Sequence, residues 1–183
     1  MNPRAGLFRL LADLLTVSRV LLAFLLAVIG WARGAEGLPL AVAVLLISWF
    51  TDLVDGPLAR CAHSPSPDWV GQHDAEADLA TSLGVAAYLA FSGYLPSWLA
   101  VALVALILGV WFLHSHQLAW PLYAVPYAIL AVVAFGAAPV WGRIMVGYLF
   151  GTLVLRYRRL ATEFLPEFFQ AVATLRGKRP PGS

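Results

Sequence analysis

Long apolar runs, broken by short polar or glycine- and proline-bearing stretches, set the pattern of this chain. None alternates with the period of two that a membrane-spanning strand requires. Most approach the length of about 20 residues that a helix needs to cross a bilayer. Turn signals divide the runs into six predicted helical spans. The first covers about Thr16 to Trp31 and ends at Arg33-Gly34-Ala35-Glu36-Gly37. The second starts near Leu38 and continues to about Arg60. The third starts between Gln72 and Asp78 and ends at Gly93-Tyr94-Leu95-Pro96. The fourth fills Trp98 to Leu113, where His114-Ser115-His116 interrupts it. The fifth is Trp120 to Phe135, with Pro121 suited to a helix start and Pro126 to a bend. The sixth runs from Val140 to about Leu155.

Two amphipathic segments lie outside these spans. Leu7 to Leu15 carries Arg9 and Asp13 among leucines, the pattern of a helix resting on a membrane surface before the chain turns inward. Phe164, Leu165, Phe168, Val172 and Leu175 form a similar stripe near the other end, equally suited to packing on the bundle. The expectation is an all-α integral membrane bundle of about six helices with an N-terminal surface helix, forming one domain over residues 1–183. The apolar run from Val20 to Ala32 lacks a convincing cleavage site and reads as a retained first helix, not a leader.

Composition strengthens this picture. Charged residues are 12% of the chain, half of what soluble domains carry, and Leu79 to Gly142 is a run of 64 residues without Asp, Glu, Lys or Arg. Such a chain argues against a water-soluble fold, intrinsic disorder and nucleic-acid binding. Cys61 is the sole cysteine, so no internal disulfide can form. The net charge of +2 matters less than its distribution. Six spans would put both termini on one side with Arg4, Arg9, Arg19, Arg60, Arg156, Arg158, Arg159, Arg176, Lys178 and Arg179, against Arg33 and Arg143 on the other. That asymmetry predicts a multi-pass protein of the cell membrane with cytoplasmic termini.

One segment breaks the apolar pattern. Asp52, Asp55, Asp68, Asp74, Glu76 and Asp78 crowd into a short stretch with a single basic residue, Arg60. Ionisable groups at a membrane are costly unpaired and by default mark a functional site. On a helix, Asp52, Asp55, Gly56, Ala59 and Arg60 fall within an arc of about 140°, and Asp74 and Asp78 lie one turn apart on the next. A short connection through Ala62-His63-Ser64-Pro65-Ser66-Pro67 makes the two helices antiparallel neighbours with their acidic ends together. Four carboxylates facing one small volume would repel, and divalent cations relieve that repulsion. Mg²⁺ takes oxygen ligands and is commonly shared between a few carboxylates and the phosphates of a substrate. Two ions could clamp a diphosphate. Gly56 and Ala59 would let a nucleotide approach the backbone, and Arg60 could contact phosphate. Taken singly, each residue has a plainer reading: a structural hydrogen bond for an aspartate, helix packing for Gly56 and Ala59, a membrane-side anchor for Arg60. Pro57 within this stretch should disturb the helix.

The string Asp52-Leu-Val-Asp55-Gly56-Pro-Leu-Ala59-Arg60, followed by Asp74-x-x-x-Asp78, resembles the signature of the CDP-alcohol phosphatidyltransferases. That pattern is D-x-x-D-G-x-x-A-R, a short spacer, then G-x-x-x-D-x-x-x-D. Val70 stands where the spacer's closing glycine is expected, and Gly71 follows it. The approach Leu15-Thr16-Val17-Ser18-Arg19 to the first span is also similar to the family. The resemblance implies transfer of a phosphatidyl group from a CDP-linked lipid, usually CDP-diacylglycerol, to the hydroxyl of a small alcohol or alcohol phosphate, with release of CMP, in phospholipid biosynthesis. By position, it implies that Asp52, Asp55, Asp74 and Asp78 hold two Mg²⁺ ions, with Mn²⁺ as a substitute, and that Asp78 also acts as general base. It assigns Gly56, Ala59 and Arg60 to the cytidine diphosphate, faces the site to the cytoplasm, and suggests a homodimer.

Arg156, Arg158 and Arg159, with His114 and His116, fall on the same predicted side as the aspartates and could hold an acceptor's phosphate or simply grip lipid head groups. Three other functions fit parts of the pattern. A membrane prenyltransferase would separate its acidic motifs more widely. A cation carrier would place its carboxylates nearer mid-membrane. A degenerate, non-catalytic family member would keep the fold alone.

Overall fold

The computed structural model describes residues 3–61, 69–113 and 116–159, and, within these, the side chains of all but 3–9, 12, 55–61, 69–74, 113, 116–120, 156, 158 and 159. Among the described residues every element is helical: α1 (Pro3–Arg33), a 3-10 turn (Gly34–Gly37), α2 (Leu38–Cys61), α3 (Trp69–Phe91), α4 (Ser97–Leu113), α5 (His116–Ala137) and α6 (Pro139–Arg159). The Ala62–Pro67 connection, the interruption at His114 and Ser115, and the stripe from Phe164 to Leu175 lie outside the described residues.

The predicted surface helix and first span form one element. No proline or glycine falls between Gly6 and Gly30, so nothing breaks the hydrogen-bond ladder, and α1 runs unbroken for 31 residues. Its early apolar residues Leu10, Leu11 and Leu14 are exposed. α2 continues as helix through Pro57 to Cys61, and α5 contains both Pro121 and Pro126. The α3–α4 junction is closed by Gly93 at φ 78°, a left-handed position that glycine adopts without strain. There the Gly93 N–H bonds the Ala90 carbonyl at 3.2 Å and the Leu95 N–H bonds the Leu89 carbonyl at 2.9 Å.

α1 packs along both α2 and α3. Small residues allow it to lie close to α3. A Cβ built on Gly84 would come within 2.4 Å of the Ala23 carbonyl oxygen, and one on Gly30 within 2.9 Å of the Tyr88 Cα. These pairings ascend together, so α1 and α3 are parallel. α2 runs antiparallel to α3, since Ser48 meets Thr81, hydroxyl to hydroxyl at 3.4 Å, while Asp52 and Asp78 share a partner one turn further on. The core, including Leu26, Leu45, Val85, Leu89, Leu130 and Met145, draws on all of the helices.

The outer faces are apolar. Phe24 is 71% exposed and Trp31 78%. The 42-residue stretch Asp13–Val54, with an 18-residue window of mean hydropathy 2.2, is long and apolar enough to cross a membrane. The glycine-bounded turn at Gly34–Gly37 divides it into two packed helices. Ser97–Phe112, Pro121–Ala137 and Pro139–Leu155 are shorter apolar helices.

Candidate active site

Arg19 occupies the meeting point of α1, α2 and α3. Its side chain is 2% exposed, and it reaches one carboxylate on each neighbouring helix. Nη1 lies 3.4 Å from Asp52 Oδ1 on α2, and Nη2 donates to Asp78 Oδ1 on α3. Burying a guanidinium is costly, and two carboxylates within reach offset that cost. Counted in the sequence among the positive charges of one membrane side, Arg19 is an interior residue with dedicated acidic partners. The one sequence signal was its place in the family-like approach Leu15-Thr16-Val17-Ser18-Arg19.

Close packing fixes the register. Arg19 is one turn before Ala23, whose backbone abuts Gly84, and this contact carries Arg19 alongside Asp78. Beneath the carboxylates the interior is polar. The Thr81 hydroxyl donates to the Ala77 carbonyl at 2.9 Å, and Ser82, one turn from Asp78, donates to the Tyr123 carbonyl of α5 at 3.3 Å. Trp49, three residues before Asp52, stacks on Tyr148 of α6 at 5.9 Å and meets Tyr127 of α5 edge-on at 5.3 Å. These aromatics tie α5 and α6 to the acidic end of α2. No sequence motif singled them out.

Of the four aspartates marked in the sequence, Asp52 and Asp78 converge on one guanidinium. Asp52 is 29% exposed and Asp78 49%, so both carboxylates remain open to small solutes. Asp55 lies three residues further along α2 and Asp74 four residues earlier on α3, each one turn nearer the connection between the helices. The side chains of Asp55, Asp74, Gly56, Ala59 and Arg60 lie outside the described ones, as do those of His116, Arg156, Arg158 and Arg159. Among the described residues no three His, Cys, Asp or Glu side chains gather as a metal-ligand group. The donor chemistry still suits a hard divalent cation, because two carboxylates from different helices meet where a single positive charge already sits.

A helical protein with apolar outer faces and a carboxylate pair held at one end of three packed helices is the class that fold and site define. The profile of the CDP-alcohol phosphatidyltransferase family matches residues 9–156, a span that takes in Arg19, Asp52 and Asp78. The chain belongs to that family of membrane-associated phosphotransferases of phospholipid biosynthesis, which generally depend on divalent metal. No curated protein and no solved structure gives a significant match.

Proposed function

We propose that this protein transfers a phosphatidyl group from a CDP-linked lipid such as CDP-diacylglycerol to the hydroxyl of a small alcohol or alcohol phosphate, releasing CMP. The observation that carries the reading is the convergence of Asp52 and Asp78, from two different helices, on one small volume. Asp52, Asp55, Asp74 and Asp78 would hold two Mg²⁺ ions, or Mn²⁺ in their place. Bound there, the ions supply charge neutralisation for the diphosphate and the transferring phosphoryl group.

The chain's own residues do the rest. Gly56 and Ala59, without bulk, and Arg60, with a planar cationic head, border the cytidine diphosphate. Asp78, half open to solvent, takes the proton of the acceptor hydroxyl as its oxygen bonds to the phosphatidyl phosphorus. The bond from that phosphorus to the CMP oxygen breaks, and CMP carries away the electron pair. Six membrane crossings, cytoplasmic termini and a site at the cytoplasmic boundary accord with the arginine distribution and the exposed apolar faces. The same surfaces are where a homodimer would form.

The test is direct. Purified protein with Mg²⁺, labelled CDP-diacylglycerol and a panel of alcohols and alcohol phosphates should release CMP with one acceptor. No CMP release with any of them would sink the transferase reading. Metal uptake into sealed liposomes without CMP formation would point to a carrier instead.

A further inference from the structure

The transfer chemistry proposed above gives no part to the buried cation that holds the site together. We infer that Arg19 is a positioning residue and built-in counter-ion: its guanidinium locks the Asp52 and Asp78 carboxylates in register and shares their oxygens with the divalent cation, lowering metal affinity. The inference rests on the proposed metal-dependent site.

Three observations support it. Arg19 is 2% exposed, so its charge is poorly screened and is spent on its partners. It reaches α2 and α3 at once, and its anchorage is rigid, because α1 abuts α3 backbone to backbone at Ala23 and Gly84. The oxygens it contacts, Asp52 Oδ1 and Asp78 Oδ1, belong to the carboxylates that would ligate metal. Any cation binding there meets a positive charge that packing prevents from moving away. Charge counting gives the sense of this. Four aspartates would neutralise two divalent ions, and Arg19 adds a positive charge to that balance. A surplus of that sign favours an anionic diphosphate over a further cation.

The experiment compares wild type with Arg19→Met, which keeps length and drops charge, and with Arg19→Lys, which keeps a point charge. Arg19→Gln, which keeps hydrogen-bonding reach without the charge, serves where the methionine variant fails to fold. Mn²⁺ binding to the purified protein is followed by electron paramagnetic resonance with no lipid substrate present. The thermal midpoint is measured in chelator and in Mn²⁺.

Removing a full charge at ion-pair distance beside partly exposed carboxylates should tighten Mn²⁺ binding about tenfold. The uncharged variants should lose thermal stability in chelator and regain most of it in Mn²⁺, while Arg19→Lys should stay near wild type in both. Turnover should fall in the uncharged variants through kcat, since Asp78 loses its fixed position. Equal loss of stability with and without Mn²⁺, or unchanged Mn²⁺ affinity, would show that Arg19 only packs and would overturn the inference. That result in an enzyme that still releases CMP leaves the transferase reading standing. The expected Mn²⁺ behaviour in a protein that releases no CMP leaves Arg19's role standing and removes the transferase reading.

Discussion

Gly84 offers the sharpest test of how packing governs this site. A methyl group there would lie 2.4 Å from the Ala23 carbonyl oxygen and 2.8 Å from its Cα, both backbone atoms that no rotamer change can move. Restoring ordinary contact requires α1 and α3 to separate by about 1 Å. Overpacking of this kind costs about 1–3 kcal/mol, and in a chain of this size each kcal/mol lowers the midpoint by roughly 2–4 °C. Gly84→Ala should therefore melt roughly 2–12 °C lower. Its effect on turnover should be larger than its effect on stability. Arg19 is one turn from Ala23, so a shift of the α1–α3 contact moves the guanidinium against Asp78. A displacement of about 1 Å in a reacting group can cost on the order of a hundredfold in rate. The assays are a detergent-solubilised melt and CMP release at saturating substrate and metal, at a temperature where both proteins are folded. A variant with wild-type midpoint and wild-type kcat would refute the claim that this close approach sets the register of the site.

Asp78→Asn keeps an oxygen that can accept from Arg19, so the protein should stay folded while CMP release falls by about 10²–10⁴-fold; undiminished turnover would remove Asp78 as base. Chelation of divalent ions should abolish CMP release, and Mg²⁺ or Mn²⁺ should restore it in the same sample. The Tyr123 hydroxyl is buried without a hydrogen-bond partner among the described residues, so Tyr123→Phe should leave the midpoint unchanged or slightly raised; a loss above about 1 kcal/mol would reveal a bond to that oxygen. Reporter fusions at the turn Gly34–Gly37 and at both ends of the chain should place the turn opposite the termini, and a shared side would break the six-crossing topology.

Much of this architecture was legible in the sequence because apolar run length and glycine or proline punctuation act locally. The turn at Gly93, the limits of α4 and the antiparallel pairing of α2 with α3 follow from such signals. Asp52 and Asp78 were marked by their cost in an apolar setting, and the structure brings them together. The fused α1 was not foreseen, because amphipathicity distinguishes two faces of a helix but does not break one. Arg19 was missed for a different reason. A single arginine near a span end has the same local signature whether it reaches water or turns inward, and only the arrival of α2 and α3 distinguishes the two. The Trp49, Tyr127 and Tyr148 cluster is likewise a product of three helices meeting, with no periodic signal in any one of them.

The long sequence separation of the Arg19–Asp78 pair has a consequence for biosynthesis. Fifty-eight residues lie between Arg19 and Asp78, so α1 leaves the ribosome well before the last of the two helices that neutralise it. For a chain entering a bilayer helix by helix, an uncompensated arginine near the end of the first segment carries a penalty that stays below the roughly 2.5–3.5 kcal/mol of a helix centre. Nascent α1 should therefore linger at the protein-conducting channel or the lipid head groups until its acidic partners are made. Truncations ending before α3 should then be poorly retained in the membrane and readily degraded.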